Sequence, residues 1–113
     1  MNELVKRLAK EPHEVETSRP KKTIEALKEC LTRDYVHVLF KETQTELGIK
    51  LDKSNCDFTN CDLDNGKGRL HLEGGVTLNY DHVRVKVDLE LETLNGQGQL
   101  YPISEEEYNS FMN

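Results

Sequence analysis

The sequence predicts an α+β fold, in which two N-terminal helices pack on a curled antiparallel β-meander of about six to seven strands and a short C-terminal helix follows. Apolar residues recur at helical spacing in the first part of the chain, and they alternate with polar residues afterwards. The 113 residues fit a single domain over 1–113, with a helical part at 1–34, a sheet at 35–103 and a short helix or tail at 104–113.

The helical part is predicted to contain two helices joined by a connector. The first helix covers residues 2–10, and the second covers about 20–33 with Pro20 as its first residue. Residues 11–20 are expected to form the connector, because two prolines punctuate this segment. The apolar stripe of the second helix comprises Ile24, Leu27, Cys30 and Leu31.

The hydrophobic period changes to two at Tyr35, which indicates β-strands. Segments 35–42 and 45–52 are predicted to pair as a hairpin, with Val36 opposite Leu51. The segment 56–63 is expected to form a third strand. Together these segments begin the predicted meander.

Two copies of the motif Asn-Gly-x-Gly-x-Leu, at 65–70 and 95–100, are compatible with either a phosphate-binding loop or a turn. A phosphate loop of this kind leads into a helix, whereas the residues after Gly68 alternate as a strand does. Asn-Gly also suits the centre of a two-residue type I′ turn. The motifs therefore predict hairpin turns at Asn65-Gly66 and Asn95-Gly96.

Two further turns complete the predicted meander. Residues Glu73-Gly74-Gly75 are expected to form a three-residue loop, and Asp81-His82 a two-residue turn. Ser104 and Glu107 predict a capping box at the start of the last helix. The apolar face of the meander is predicted to comprise Leu70, Leu72, Val76, Leu78, Tyr80, Val83, Val85, Val87, Leu89 and Leu91.

The polar face of the meander carries the candidate binding residues. In the predicted registers, Arg69 and Arg84 share one cross-strand row, His71 and Lys86 share the next row, and His82 lies at a nearby turn. Because guanidinium groups engage carboxylates and phosphates in a bidentate way, this face is a candidate site for an anion or for a carboxylate of a partner. The alternative is an ordinary solvated sheet surface, since exposed sheet faces are normally charged.

Motifs for catalysis and metal binding are weak. Cys56 and Cys61 lack the spacing of a zinc site, and a calcium-like loop at 62–73 has its glycine one position early. The serines lack a Gly-x-Ser-x-Gly context. We assign no catalytic residue, metal or cofactor. The sequence favours a non-enzymatic protein and leaves open a small enzyme without a recognisable motif.

The charge distribution limits the class of partner. The formal net charge is −6, and residues 51–113 carry a balance of −7 against +1 for residues 1–50. Direct nucleic-acid binding is therefore not expected, and the chain contains no apolar run long enough for a membrane span. An odd number of cysteines, three, argues against a disulfide framework and favours the cytoplasm.

These features predict a small acidic intracellular binding protein that acts through protein–protein contact, as an inhibitor, an immunity-type protein or a complex subunit. The alternative is a small-ligand carrier or sequestering protein with a pocket between sheet and helices. A homodimer through a sheet edge is a further option, because the last strand is expected to leave an open edge that Pro102 blunts.

Overall fold

The structure is a computed structural model that describes residues 3–17, 21–78 and 80–112. The helices within these residues are α1 (Glu3–Lys10), α2 (Ile24–Thr32), a 3-10 helix (Lys53–Asn55) and α3 (Glu105–Met112). The strands are β1 (His13–Thr17), β2 (Tyr35–Phe40), β3 (Thr45–Leu51), β4 (Cys61–Asp62), β5 (Lys67–Leu78), β6 (Asp81–Glu90) and β7 (Asn95–Pro102).

Six of these strands form a closed antiparallel barrel, in the order β3-β2-β1-β7-β6-β5. The ring closes where Lys50 and Leu51 of β3 pair with Gly75 and Gly74 of β5. The short strand β4 lies outside the ring, and among the described strands it pairs with β5 alone. The predicted antiparallel sheet is thus confirmed, whereas the predicted arrangement of helices packed on an open meander is wrong.

Strand β1 is the element that the sequence prediction missed, because residues 13–17 were assigned to a connector. It pairs with β2 on one side and with β7 on the other. Its inward residues are His13, Val15 and Thr17, all buried. Only one of the three is aliphatic, so the strand lacks the apolar alternation by which short strands are recognised.

The inward position of His13 is explained by its polar partners. Its Nε2 lies 3.0 Å from the carbonyl oxygen of Arg7 in α1, and its Nδ1 lies 2.8 Å from Glu42 Oε2 in the β2–β3 turn. Arg7 also forms an ion pair with Glu42, which lowers the pKa of this carboxyl. His13 therefore links the first helix to the barrel wall with its ring nitrogens hydrogen-bonded.

Strand β7 is not a sheet edge, because it pairs with both β1 and β6. The predicted open edge at the last strand is therefore wrong. Pro102 lies at the end of the ladder, opposite Val83. This position suits a residue without a backbone N–H.

The Asn-Gly dipeptides do not lie at the centres of their turns. Strands β4 and β5 are joined by the four residues 63–66, and Cys61 pairs with Gly68 rather than Leu70. Strands β6 and β7 are joined by residues 91–94, where Leu94 has a φ of 59°. Gly96 belongs to β7, and a Cβ there would collide with the carbonyl of Asp88. Both predicted two-residue turns are wrong, although a turn is present near each motif.

The predicted loop at Glu73-Gly74-Gly75 is also wrong, since β5 runs without interruption through these residues. Strands β5 and β6 are joined by residues 79 and 80, so the predicted turn at Asp81-His82 is displaced as well. Residue 79 lies outside the described residues. Tyr80 has a φ of 70°, which is the left-handed geometry that a two-residue turn requires.

The predicted side-chain parity of the second half is largely confirmed. Val76 and Leu78 point inward but are half-buried. The predicted inward orientation of Tyr80 is wrong, because this residue lies in the turn and is 97% exposed. The remaining residues of the predicted apolar face are buried: Leu70, Leu72, Val83, Val85, Val87, Leu89 and Leu91. Other strands contribute Val15, Val36, Val38, Phe40, Leu47, Ile49 and Leu100, so that side chains fill the barrel.

The first hairpin forms as predicted but in a register shifted by two residues, with Val36 opposite Ile49. Its inward face is unchanged because a shift of two keeps the parity. The predicted third strand shrinks to the two residues of β4.

The helices follow their apolar patterns. In α1, Val5 and Leu8 are buried and belong to the hydrophobic core. Helix α2 begins at Ile24, because Thr23 accepts a hydrogen bond from the Ala26 N–H over 3.1 Å. Its predicted first residue, Pro20, lies outside the described residues. Ser104 caps α3 by accepting a 3.0 Å hydrogen bond from the Glu107 N–H, which confirms the predicted N-cap.

Candidate functional site

All five predicted binding residues lie on the outer surface of the β5–β6 hairpin. β5 supplies Arg69 and His71, while β6 supplies His82, Arg84 and Lys86. They point outward because they alternate with the buried aliphatic residues of the same strands. We call the outward residues of β5, β6 and β7 the outer wall: Arg69, His71, Glu73, Thr77, His82, Arg84, Lys86, Asp88, Glu90, Gln97, Gln99 and Tyr101.

The register of the outer wall places carboxylates beside most of these cations. Arg69 lies opposite Glu90, with 3.3 Å between Nη2 and Oε1. His71 lies opposite Asp88. The predicted cross-strand row of Arg69 and Arg84 does not form, because each residue has a different partner on the neighbouring strand.

His71 is held between two carboxylates. Its Nδ1 lies 2.8 Å from Asp88 Oδ1, and its Nε2 lies 2.7 Å from Glu73 Oε2. Ionised carboxylates only accept hydrogen bonds, so both ring nitrogens donate when the imidazole is charged. Partial burial opposes that charge, but the hydrogen bonds to Glu73 and Asp88 outweigh it and raise the pKa of His71.

Arg84 connects the hairpin to the start of the 3-10 helix. Its Nη1 donates to Glu73 Oε1 over 2.9 Å, and its Nη2 lies 3.3 Å from Asp52 Oδ2. All three side chains are at most 16% exposed. Burial works against the Asp52 carboxylate, but hydrogen bonds from Asn55, Ser54 and Arg84 lower the pKa of Asp52. Arg84 thus has a structural role in the wall.

Lys86 differs from its neighbours, because it forms no ion pair within the described part of the chain. Its Nζ lies 4.9 Å from the centre of the Tyr101 ring, within cation–π range. Lys86 borders a shallow groove of about 150 Å³ that is also lined by Pro12, His71, Asp88, Gln97, Gly98, Gln99 and Tyr101.

Three of the four tyrosines gather at one end of the outer wall. Tyr80 projects from the β5–β6 turn, and Tyr101 lies opposite Arg84. Tyr108 of α3 stacks on His82, with ring centroids 4.4 Å apart. The first turn of α3 adds three exposed carboxylates. We call this surface the tyrosine end: Tyr80, Tyr101, Tyr108, Glu105, Glu106 and Glu107.

Sequence reasoning missed the tyrosine end because it counted Tyr80 among the inward residues. The available signal was the run Glu105–Tyr108, in which three carboxylates precede a tyrosine directly after the last strand. That run was interpreted only as a helix start. The proximity of Tyr108 to His82 depends on tertiary structure and has no local signal.

The cysteine thiols are poorly suited to nucleophilic catalysis. Cys30 is buried in the core, and Cys56 and Cys61 are half-buried. Burial raises the pKa of both Cys56 and Cys61, which disfavours the reactive thiolate. Across residues 3–17, 21–78 and 80–112, no group of three or more His, Cys, Asp or Glu side chains is arranged to hold a metal ion.

Comparison of the chain with protein-family models and with curated proteins finds no match. In the described part of the chain, none of the helices has the length and apolar character needed to cross a membrane. The function of the outer wall is therefore inferred from its geometry and charge.

Proposed function

We propose that the protein is a small acidic binding protein that contacts a positively charged surface of a protein partner through the tyrosine end. The observation that carries this proposal is the exposure of Tyr80, which is 97% accessible at the tip of a hairpin. Tyrosine supplies a large contact area with little conformational entropy to lose, and it is enriched at the energetic centres of interfaces. A fully solvated tyrosine on a short, paired turn is thus ready for burial by a partner.

The charge around Tyr80 favours a basic partner. Glu105, Glu106 and Glu107 are exposed in the first turn of α3, and Tyr108 of the same helix stacks on His82 of β6. The chain carries a net charge of −6. Complementary charge accelerates encounter and excludes acidic competitors. The same charge disfavours nucleic acid as the partner.

The ion pairs of the outer wall support this function by fixing the surface before binding. Arg84, Glu73 and His71 connect β5, β6 and the 3-10 helix, so little backbone ordering is left to occur upon association. The predicted anion-binding role of the five basic residues stays a prediction, and Lys86 is the member best placed for it. None of the three cysteines forms a disulfide in the described part of the chain, which is consistent with action in the cytoplasm as an inhibitor, an immunity-type protein or a subunit.

The test is a comparison of three variants by affinity purification from native extract, followed by titration of the partner that the wild type retains. Tyr80→Ala removes the exposed ring. The triple change of Glu105, Glu106 and Glu107 to Gln removes the local charge. A matched control changes Glu11, Glu25 and Glu92 to Gln, which alters the net charge equally at exposed positions elsewhere.

We expect a basic protein in stoichiometric amount, bound at least about tenfold more weakly by Tyr80→Ala, as is typical of an interface hot spot. The variant with Glu105, Glu106 and Glu107 changed to Gln should bind the partner more weakly, and its affinity should depend less on salt concentration. The control variant should keep the wild-type affinity and salt dependence. Equal retention of the partner by all variants would contradict the proposal. Recovery of an acidic partner that depends on Lys86 would instead favour the basic-face prediction.

A further inference from the structure

A second groove lies between α2 and the segment that follows β3, and it shares no lining residue with the outer wall. Its volume is about 370 Å³, which falls in the range of about 300–1,000 Å³ that is typical of small-ligand sites. One wall consists of α2 residues, and the other consists of residues from the 3-10 helix and the loops after it. The lining residues are Lys28, Leu31, Thr32, Lys53, Phe58 and Leu63.

The floor of this groove is apolar. Leu31 is buried beneath it, while Phe58 and Leu63 are only half-buried although both pack against the core. An apolar ligand that covered Phe58 and Leu63 would remove their remaining surface from water. Such burial favours binding by about 25 cal/mol per Å².

The rim of the groove carries two lysines, each of which is paired with an exposed aspartate. The Nζ of Lys53 lies 5.5 Å from the centre of the Phe58 ring. Lys28 lies on the α2 side of the groove, so cationic groups border the apolar floor from both walls. A ligand that fits both features has an apolar body and a negative head.

Both lysines have partners that a ligand could replace. Lys28 Nζ lies 2.6 Å from Asp64 Oδ1, and Lys53 Nζ lies 3.1 Å from Asp34 Oδ1. The side chains of Asp64 and Asp34 are 83% and 53% exposed, so release returns their charges to water rather than leaving them buried. Exposed ion pairs contribute about 0–1 kcal/mol each, and exchange for a ligand carboxylate is therefore cheap.

We propose that this groove binds a small amphipathic carboxylate, with its alkyl or aromatic body on Leu31, Phe58 and Leu63 and its carboxylate at Lys28 and Lys53. The site gives a location to the ligand-carrier alternative that the sequence left open. It requires no protein partner, and its test is independent of the tyrosine end.

Octanoate is the probe, and octanol is its neutral counterpart with the same chain length. Binding to the full chain is followed by amide chemical shifts in NMR titrations and by calorimetry. We expect saturable binding of one octanoate, with shifts concentrated at residues 28–32 and 53–63. Octanol should bind more weakly than octanoate, because its uncharged hydroxyl cannot form an ion pair with either lysine.

The variants separate the rim from the floor. Lys28→Gln and Lys53→Gln should each weaken octanoate binding by about threefold to fivefold and leave octanol unchanged. Phe58→Ala should weaken both ligands. Lys10→Gln and Lys21→Gln make the same change of charge at exposed sites outside the groove and should have no effect.

Three results would overturn the proposal. The first is the absence of saturable shifts at millimolar octanoate in the folded protein. The second is equal affinity for octanol and octanoate, and the third is equal weakening by the Lys10 and Lys21 controls. If Phe58→Ala melts at a lower temperature than the wild type, the two lysine variants and the octanol comparison still decide the question.

Discussion

Leu51 of β3 lies opposite Gly74 of β5, and this pairing closes the barrel. At this point β5 passes so close to β3 that a Cβ on Gly74 would collide with the carbonyl oxygen of Lys50 and with the Ile49 side chain. Glycine is therefore required by the close approach of two strands, not by a turn. The closure brings together strands that are separated by the 3-10 helix and β4 in the sequence.

Substitution of Gly74 tests the closure. We expect Gly74→Ala to lower the free energy of unfolding by about 1–3 kcal/mol, because the backbone of β3 must move to make room for the methyl group. Gly48→Ala is the matched control in the neighbouring part of β3, where the three atoms nearest to the added Cβ all belong to the partly exposed Tyr35 side chain rather than to the backbone. Urea denaturation measures both. A Gly74→Ala protein as stable as the wild type would contradict the closed ring.

The two arginines of the outer wall should differ in their effect on stability. Arg84→Ala leaves Asp52 and Glu73, which are 11% and 15% exposed, without their guanidinium partner. We expect a loss of about 2–3 kcal/mol in the free energy of unfolding. Arg69→Ala removes an ion pair whose side chains are 75% and 56% exposed, so the expected loss is below about 1 kcal/mol. Equal losses of unfolding free energy for the two variants in urea denaturation would show that the burial of the Arg84 ion pairs does not matter for stability.

The stability of the fold should depend on the protonation of His71. Because the folded pKa lies above the unfolded value of about 6.5, proton binding stabilises the folded state. This contribution is complete below about pH 6.5 and is lost as the pH rises through the folded pKa. The difference in unfolding free energy between wild type and His71→Gln should therefore be larger at about pH 5.5 than at about pH 8.5.

NMR titration of the His71 ring protons provides the direct check on this dependence. Asp88→Asn replaces one of the two carboxylate partners by a neutral amide, so it should lower the pKa of His71 without removing the ring. An apparent pKa of His71 at or below about 6.5 in the wild type would be incompatible with hydrogen bonds from its ring to both Glu73 and Asp88.

The cysteines should react slowly in the folded protein. Burial raises the pKa of Cys56 and Cys61, and Cys30 is 4% exposed. At about pH 7.5, we expect reaction with a disulfide reagent at least about tenfold slower than in denaturant, where all three thiols are accessible. One thiol that reacts rapidly in the folded state would revive the enzyme alternative, since it would identify an activated nucleophile.

Part of the fold could be read from local patterns. The apolar stripe of α2, the N-cap at Ser104 and the inward parity of β5 and β6 all follow from side-chain spacing within one segment. Turn positions could not be read in this way. Tyr80 and Leu94 adopt left-handed backbone geometry without being glycine, while Gly74 and Gly96 are needed where strands approach closely.

The sequence by itself determined most of the inward side chains of β5 and β6 and placed Arg69, His71, Arg84 and Lys86 on one exposed face. Only the tertiary structure decided that the sheet closes, that β1 is a strand and that Arg84 pairs with Asp52, 32 residues away. The physical reason is the range of each effect. Amphipathic periodicity acts within a segment, whereas strand closure and ion pairing depend on distances that exist only when remote segments have packed together.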